Sequence, residues 1–177
     1  MSYSIKPYDL NWVSQFENIK SILEQVFGSQ AIAIEHIGST SILGMNAKPV
    51  IDMLVIVEKI WPFISEKQAM SKLGYQRLDN YIAPDSALFF KTDKDGDKTE
   101  NVHVCIKDSA KTKQLIGMRD YFRAHQDKVK KYNDLKEALQ HKFPNDYIAY
   151  KDGKKEFLEL IRKEADDWSK NKTCITT

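Results

Sequence analysis

Apolar residues recur along this chain with a spacing that changes several times. Trp12, Phe16, Ile19, Leu23 and Val26 follow at three- and four-residue steps, as on one face of an α-helix; Asp9 is placed to cap it and Gly28 to end it. The pattern then shortens. Ala31–Ile37 and Val50–Val57 are apolar and rich in β-branched residues, and predict two strands joined by a polar segment that contains glycine. Pro62 suits the first turn of a helix that carries Ile64, Met70 and Leu73 and closes at Gly74, which implies a crossover after the second strand. Ala87–Lys91 and Asn101–Ile106 predict an antiparallel pair around TDKDGDKTE, with Asp95-Gly96 at the turn. From Lys111 to near Trp168 the pattern is helical, with a break at Phe143-Pro144-Asn145 where Asn145 can cap the last helix. Tyr132, Leu135, Leu139 and Phe143 form a stripe on that stretch that reads as core.

This order predicts an α+β fold: a small mixed sheet with flanking helices, then a C-terminal helical layer. No repeat or linker divides it, so residues 1–168 are expected to form one domain, followed by a frayed tail over 169–177. A chain of 177 residues with 42% hydrophobic content buries one core comfortably but not two. The 27 Lys and Arg against 25 Asp and Glu leave a formal charge of +2, which gives no global case for nucleic acid or membrane binding. Cys105 and Cys174 form neither a disulfide framework nor a zinc spacing. Without a leader pattern in MSYSIKPYDLNW or an apolar run of membrane-spanning length, a cytoplasmic protein is expected.

One acidic residue, Asp52, stands within the apolar run of IEHIGSTSILGMNAKPVIDMLVIV. An unpartnered carboxylate in a dry sheet costs roughly several kcal/mol, so Asp52 is either a site residue or an edge position. Alternation puts Val50, Asp52 and Leu54 on one face and Ile51, Met53, Val55 and Val57 on the other, and gives Asn101, His103 and Cys105 a shared face as well. Asp52 and His103 can thus meet across neighbouring strands, as a metal or acid/base pair or as ordinary hydrogen-bonded structure. Gly38 follows the first strand directly, and Ser39, Thr40 and Ser41 after it offer hydroxyls and free N–H groups to an anion such as phosphate. A capped turn explains the same residues. Lys48 can reach a phosphate from the loop before the acidic strand, and Arg119 and Arg123, four residues apart on one helix face, can grip a polyphosphate or pair with Asp120 and Asp127. Of Glu35 and His36 only one can face the pocket, and His36 is favoured. DKDGDKTE has its glycine too early for a calcium loop, so it reads as a polar hairpin turn.

EHIGSTSILGMNAKPVIDMLV resembles the signature of the GrpB family, a divergent branch of the nucleotidyltransferase superfamily. The likeness extends to YDLNWVSQFE, NVHV, RDYFRAH and the closing Tyr150, Lys154, Phe157 pattern, with Leu43 and Gln126 where prolines are usual. The resemblance implies a nucleotidyltransferase-like fold in which Gly38 and Ser39 hold terminal phosphates of a nucleoside triphosphate and Asp52 binds a divalent metal (Mg, Mn or Zn). It also implies two further acids, whereas the same-face neighbours of Asp52 are Val50 and Leu54 and the later strand offers His103, with Glu100 at its start. The expected function is therefore a nucleotide- or phospho-ligand-binding protein with an incomplete acid set. Relatives fused to dephospho-CoA kinase imply an enzyme partner in coenzyme A synthesis. The alternative is an active metal-dependent nucleotidyltransferase with Asp52 and His103 as catalytic residues.

Overall fold

A computed structural model of the chain describes residues 4–60, 64–78 and 86–175. In chain order it contains α1 (Asn11–Phe27), β1 (Ala31–Ile37), β2 (Ile51–Val57), α2 (Ile64–Lys72), β3 (Gln76–Arg77), β4 (Ser86–Thr92), β5 (Lys98–Ile106), α3 (Ala110–Ala124), α4 (Gln126–Lys142), α5 (Tyr147–Gly153) and α6 (Lys155–Ile175). The strands form one five-stranded sheet ordered β1-β2-β5-β4-β3. Only β2 and β5 run parallel; the other neighbours are antiparallel, so the sheet is mixed as the sequence predicts. Helices flank that sheet and fill the C-terminal third, the expected α+β arrangement.

Strand alternation sorts the core. Ile34, Met53, Val55, Val102, Val104, Ala87 and Phe89 pack with Trp12, Phe16, Leu23 and Phe27 of α1 and Met70 of α2. The opposite face is covered only in part, where Ile37, Leu54 and Cys105 meet Leu115 and Ile116 of α3. A separate helical core joins Tyr121, Phe122, Val129, Tyr132, Ile161 and Ala165 to Ile42 and Met45 of the loop before β2. Each such fully buried aliphatic side chain contributes about 1.5–3 kcal/mol. The same loop is pinned to α4: Asn133 Oδ1 accepts from the Asn46 N–H at 2.9 Å, and Asn133 Nδ2 donates to the Gly44 carbonyl at 2.8 Å.

Several local signals act one residue from where the sequence puts them. Asp9 accepts from the Asn11 N–H at 2.9 Å, while Leu10 occupies the cap position of α1. Asp146, not Asn145, caps α5 by accepting from Ala149 N–H at 2.9 Å, because Pro144 and Asn145 are taken up in a turn closed by the Asp146 N–H donating to the Phe143 carbonyl at 3.3 Å. The long helical stretch also breaks at His125, between α3 and α4, where the ring Nδ1 lies 2.7 Å from the Tyr121 carbonyl and no proline marks the bend. Pro62 lies outside the described residues. The segment from Ser169, expected to fray, continues α6 as far as Ile175. The hairpin turn is closed by Asp93, whose Oδ1 accepts from the Asp95 and Asp97 N–H groups at 2.9 and 3.0 Å.

Candidate functional site

Asp52 stands at the start of β2 between Ile37 of β1 and Asn101 of β5, on the sheet face that α3 leaves uncovered. Asn101 Nδ2 donates to Asp52 Oδ1 at 2.8 Å. The other carboxylate oxygen lies against Gly38, which has φ +70°; a Cβ built there would stand 2.4 Å from Asp52 Oδ2. Glycine is thus required for two reasons: its backbone conformation and the carboxylate beside it. Burial pushes the Asp52 carboxyl up to about 6, against the opposing pull of the Asn101 hydrogen bond and of Lys98 and Lys154.

The cleft in front of Asp52 is lined by lysines. A cavity of about 300 Å³ is walled by Ser39, Lys48, Lys98, Lys136, Tyr150 and Lys154, among others. Each ammonium group sits over an aromatic ring: Lys48 over Tyr147 and Lys98 over Phe90 at 4.4 Å, Lys136 over Tyr132 and Lys154 over Tyr150 at 4.3 Å. None of the four lies at ion-pair distance from a carboxylate among the described residues. Lys136 is 2% exposed and donates to the Asn46 carbonyl. Burial, helped by Lys154, brings its ammonium down to about 7. Burial, helped by Lys48 and Lys151, brings Lys154 down to about 8. A second lobe of about 540 Å³ shares Lys48, Asp52, Lys98 and Tyr147 and adds Leu88, Phe90 and His103 as a less polar wall.

The structure brings Gly38, Ser39, Thr40, Lys48 and Asp52 to this cleft, but it changes what some of them offer. The Thr40 hydroxyl is committed, donating to the Val50 carbonyl at 3.3 Å and lying 3.0 Å from His36 Nε2. The Ser41 hydroxyl likewise donates to the Gly38 carbonyl at 2.7 Å. Ser39 opens a single 3₁₀ turn, Ser39–Ser41, and lines the cleft together with the lysines. His103 lies on the predicted face, yet β2–β5 register pairs it with Leu54 rather than Asp52. Its Nδ1, like Asn101 Oδ1, is buried without a hydrogen-bond partner among the described residues. Burial, with Lys111 and Lys98 adding to it, lowers the His103 imidazolium to about 4, so the ring is neutral near pH 7.

Three predicted residues lie elsewhere. His36 points to the α1 side of the sheet, stacked on Phe16 with ring centroids 4.7 Å apart; Glu35 takes the cleft-side face instead. Arg119 Nη1 donates to Glu35 Oε2 at 2.7 Å and Arg119 Nε to Asp120 Oδ1 at 2.8 Å. Arg123 donates twice to the Ser41 carbonyl, at 2.9 and 3.2 Å. Both arginines therefore clamp α3 to β1 and the glycine turn from behind, Arg119 through Nε and Nη1 and Arg123 through Nε and Nη2. Glu100 pairs with Ile51 on the α1 face, where it accepts from the Tyr75 hydroxyl. Missed by sequence reasoning were Lys98, Lys136, Tyr147 and Lys154. Lys136 had a signal, a cation one turn after Tyr132 within an otherwise apolar stripe, and Lys154 belongs to the YKDGKKEF block.

A divalent ion held by Asp52 and His103 does not fit these residues. No group of three or more His, Cys, Asp or Glu side chains that could hold a metal ion occurs among the described residues. One Asp52 oxygen already accepts from Asn101, and the surrounding cleft is cationic. Hard cations such as Mg²⁺ require several oxygen ligands. No helix among the described residues is long and apolar enough to cross a membrane.

The chain is 36% identical over 167 residues to the UPF0157 protein YqkA of Bacillus subtilis, covering 93% of this chain and 48% of that protein. It thus spans about half that relative's length. The crystal structure of the conserved protein GrpB from Enterococcus faecalis overlays with a TM-score of 0.85 at 29% identity, over 92% of this chain and 96% of that one. A dephospho-CoA kinase of Mycolicibacterium paratuberculosis matches at 24% identity, over 92% of this chain and 46% of its own length. The Cid1 poly(U) polymerase structure overlays at a TM-score of only 0.39 and 11% identity, too slight to bear on chemistry. The family model described as GrpB protein matches residues 2–164, and this chain belongs to the GrpB family.

Proposed function

We propose that this protein binds a phosphorylated small molecule, a nucleotide or related phospho-ligand, in the cleft in front of Asp52. The observation that carries this reading is the convergence of Lys48, Lys98, Lys136 and Lys154 on one 300 Å³ cavity. Four ammonium groups that face rings rather than carboxylates lack a countercharge, although Lys136 also donates to the Asn46 carbonyl, and phosphate oxygens supply that countercharge. The second lobe, with Leu88 and Phe90, gives room for a less polar portion of the same ligand. Binding is favoured over nucleotidyl transfer because no acid flanks Asp52 across the strands: its cross-strand neighbours are Ile37 and Asn101, and Glu35 on the same sheet face is held by Arg119. The likeness to a dephospho-CoA kinase supports placing coenzyme A precursors among the candidate ligands.

The test is a thermal-shift screen of nucleoside phosphates, inorganic phosphates and coenzyme A precursors against the intact chain. A ligand at about 100 times its Kd adds about 2.7 kcal/mol and raises the melting temperature by several degrees. A panel with no shift from any phosphorylated compound overturns the reading.

A further inference from the structure

The charge balance of the cleft specifies the form in which such a ligand arrives. Lys48, Lys98, Lys136 and Lys154 face a single carboxylate, Asp52, which leaves three positive charges when all are ionised. Counting the second lobe adds Lys151 and Asp97 and leaves that balance unchanged. The four lysines come from four places, the loop before β2, the first residue of β5, the middle of α4 and the residue between α5 and α6, so they surround the cavity rather than line one edge. A monophosphate carries at most two negative charges and leaves the cleft under-compensated, whereas two or three linked phosphates match it.

We infer that the cleft takes an oligophosphate free of metal, with its lysines in the charge-compensating role that a divalent ion would otherwise fill. This rests on the phospho-ligand reading above and sharpens it to a ligand class. A metal ion entering with the ligand meets four ammonium groups and one carboxylate, of which one oxygen is held by Asn101 and the other lies against Gly38. Mg²⁺ bound to an oligophosphate also removes two of the charges that the lysines recognise, and like charges repel strongly in a partly buried cleft. Asp52, by the same reasoning, opposes the phosphate ligand. Its place is structural for the turn at Gly38, and its charge limits how tightly an anion binds. The same disposition separates the two roles that a strand carboxylate can have here: a metal ligand assists binding, and a lone carboxylate weakens it.

The experiment is calorimetric titration of the full chain with sodium tripolyphosphate, pyrophosphate and orthophosphate, each in excess EDTA and in excess Mg²⁺. Tripolyphosphate and pyrophosphate are expected to bind in EDTA, orthophosphate at least about tenfold more weakly, and excess Mg²⁺ to weaken binding by sequestering the ligand. Asp52→Asn is expected to tighten tripolyphosphate binding in EDTA severalfold. Lys98→Gln, at an exposed residue whose loss spares the core, is expected to weaken it by about tenfold. Lys154→Gln is the companion variant, with its melting curve recorded first. Binding that requires Mg²⁺ and is lost in Asp52→Asn overturns the inference and leaves the phospho-ligand reading standing. No binding of any phosphate in either condition overturns both.

Discussion

Gly38 and Asp52 occupy each other's space: the glycine lacks the one carbon that would stand 2.4 Å from the Asp52 carboxylate oxygen, in a backbone conformation of φ +70°. Two costs therefore combine at one position. Gly38→Ala should lose roughly 2–4 kcal/mol, from left-handed strain together with displacement of a carboxylate. In the Asp52→Ala background the clash with the carboxylate disappears while the Cβ of residue 52, 2.9 Å from the added carbon, remains, so the same change should cost less than in the parent by roughly 1 kcal/mol. Urea melts of the four proteins in this cycle give a coupling energy directly. Equal costs in the two backgrounds would show that the contact is relaxed by a shift of the turn.

The lysines make anion binding sensitive to pH in a fixed direction. Burial holds Lys136 at about 7 and Lys154 at about 8 in the free protein, well below the ordinary lysine value. A bound phosphate stabilises the ammonium form and raises both, so binding takes up protons between about pH 7 and pH 9 and affinity falls as pH rises through that window. Titration of tripolyphosphate at pH 8 in buffers of different ionisation enthalpy should reveal the uptake. Lys154→Gln should reduce it, and because the ligand's own titration is common to both proteins, the difference reports Lys154 together with its effect on Lys136. Identical proton linkage in both proteins would remove Lys154 from the binding site.

Arg119 should matter for stability and not for binding. Its guanidinium is held by Glu35, Asp120 and the His36 carbonyl, and its side chain is only 10% exposed. Arg119→Met keeps much of the packing but leaves two carboxylates and a carbonyl short of a donor, at a cost of roughly 1–3 kcal/mol. A lower melting temperature with tripolyphosphate affinity unchanged within about twofold is the expected outcome. A tenfold loss of affinity at unchanged stability would restore the arginine to the ligand.

The elements that were legible in the sequence are those specified by local pattern. β1 begins and ends where the apolar run does, β2 starts one residue inside its run, and Asp52 stands on the face that alternation assigns to it. The site was harder to read because it depends on register and helix packing. A one-step difference along β5 puts Asn101, not His103, beside Asp52, and nothing within either strand fixes that step. Likewise, nothing local distinguishes the side of β1 that α1 covers from the side α3 covers, which is why His36 and Glu35 exchange roles. Arg119 and Arg123 do share a helix face as their spacing requires, but that face meets β1 and the Ser41 carbonyl. Lys98 and Lys154 lie in charged stretches that read as solvated surface, and only the docking of α4, α5 and α6 turns them toward a common space.

Lys48 and Lys154 are 106 residues apart in sequence, and the wall between them is supplied by β5 and α4. Such a cavity cannot exist in a half-folded chain: its geometry is complete only after the last helices have docked onto the loop around Asn46. Non-local closure of this kind falls late along the folding coordinate. A phosphate ligand should therefore leave the refolding rate almost untouched and act instead as a latch, slowing the escape of the native chain.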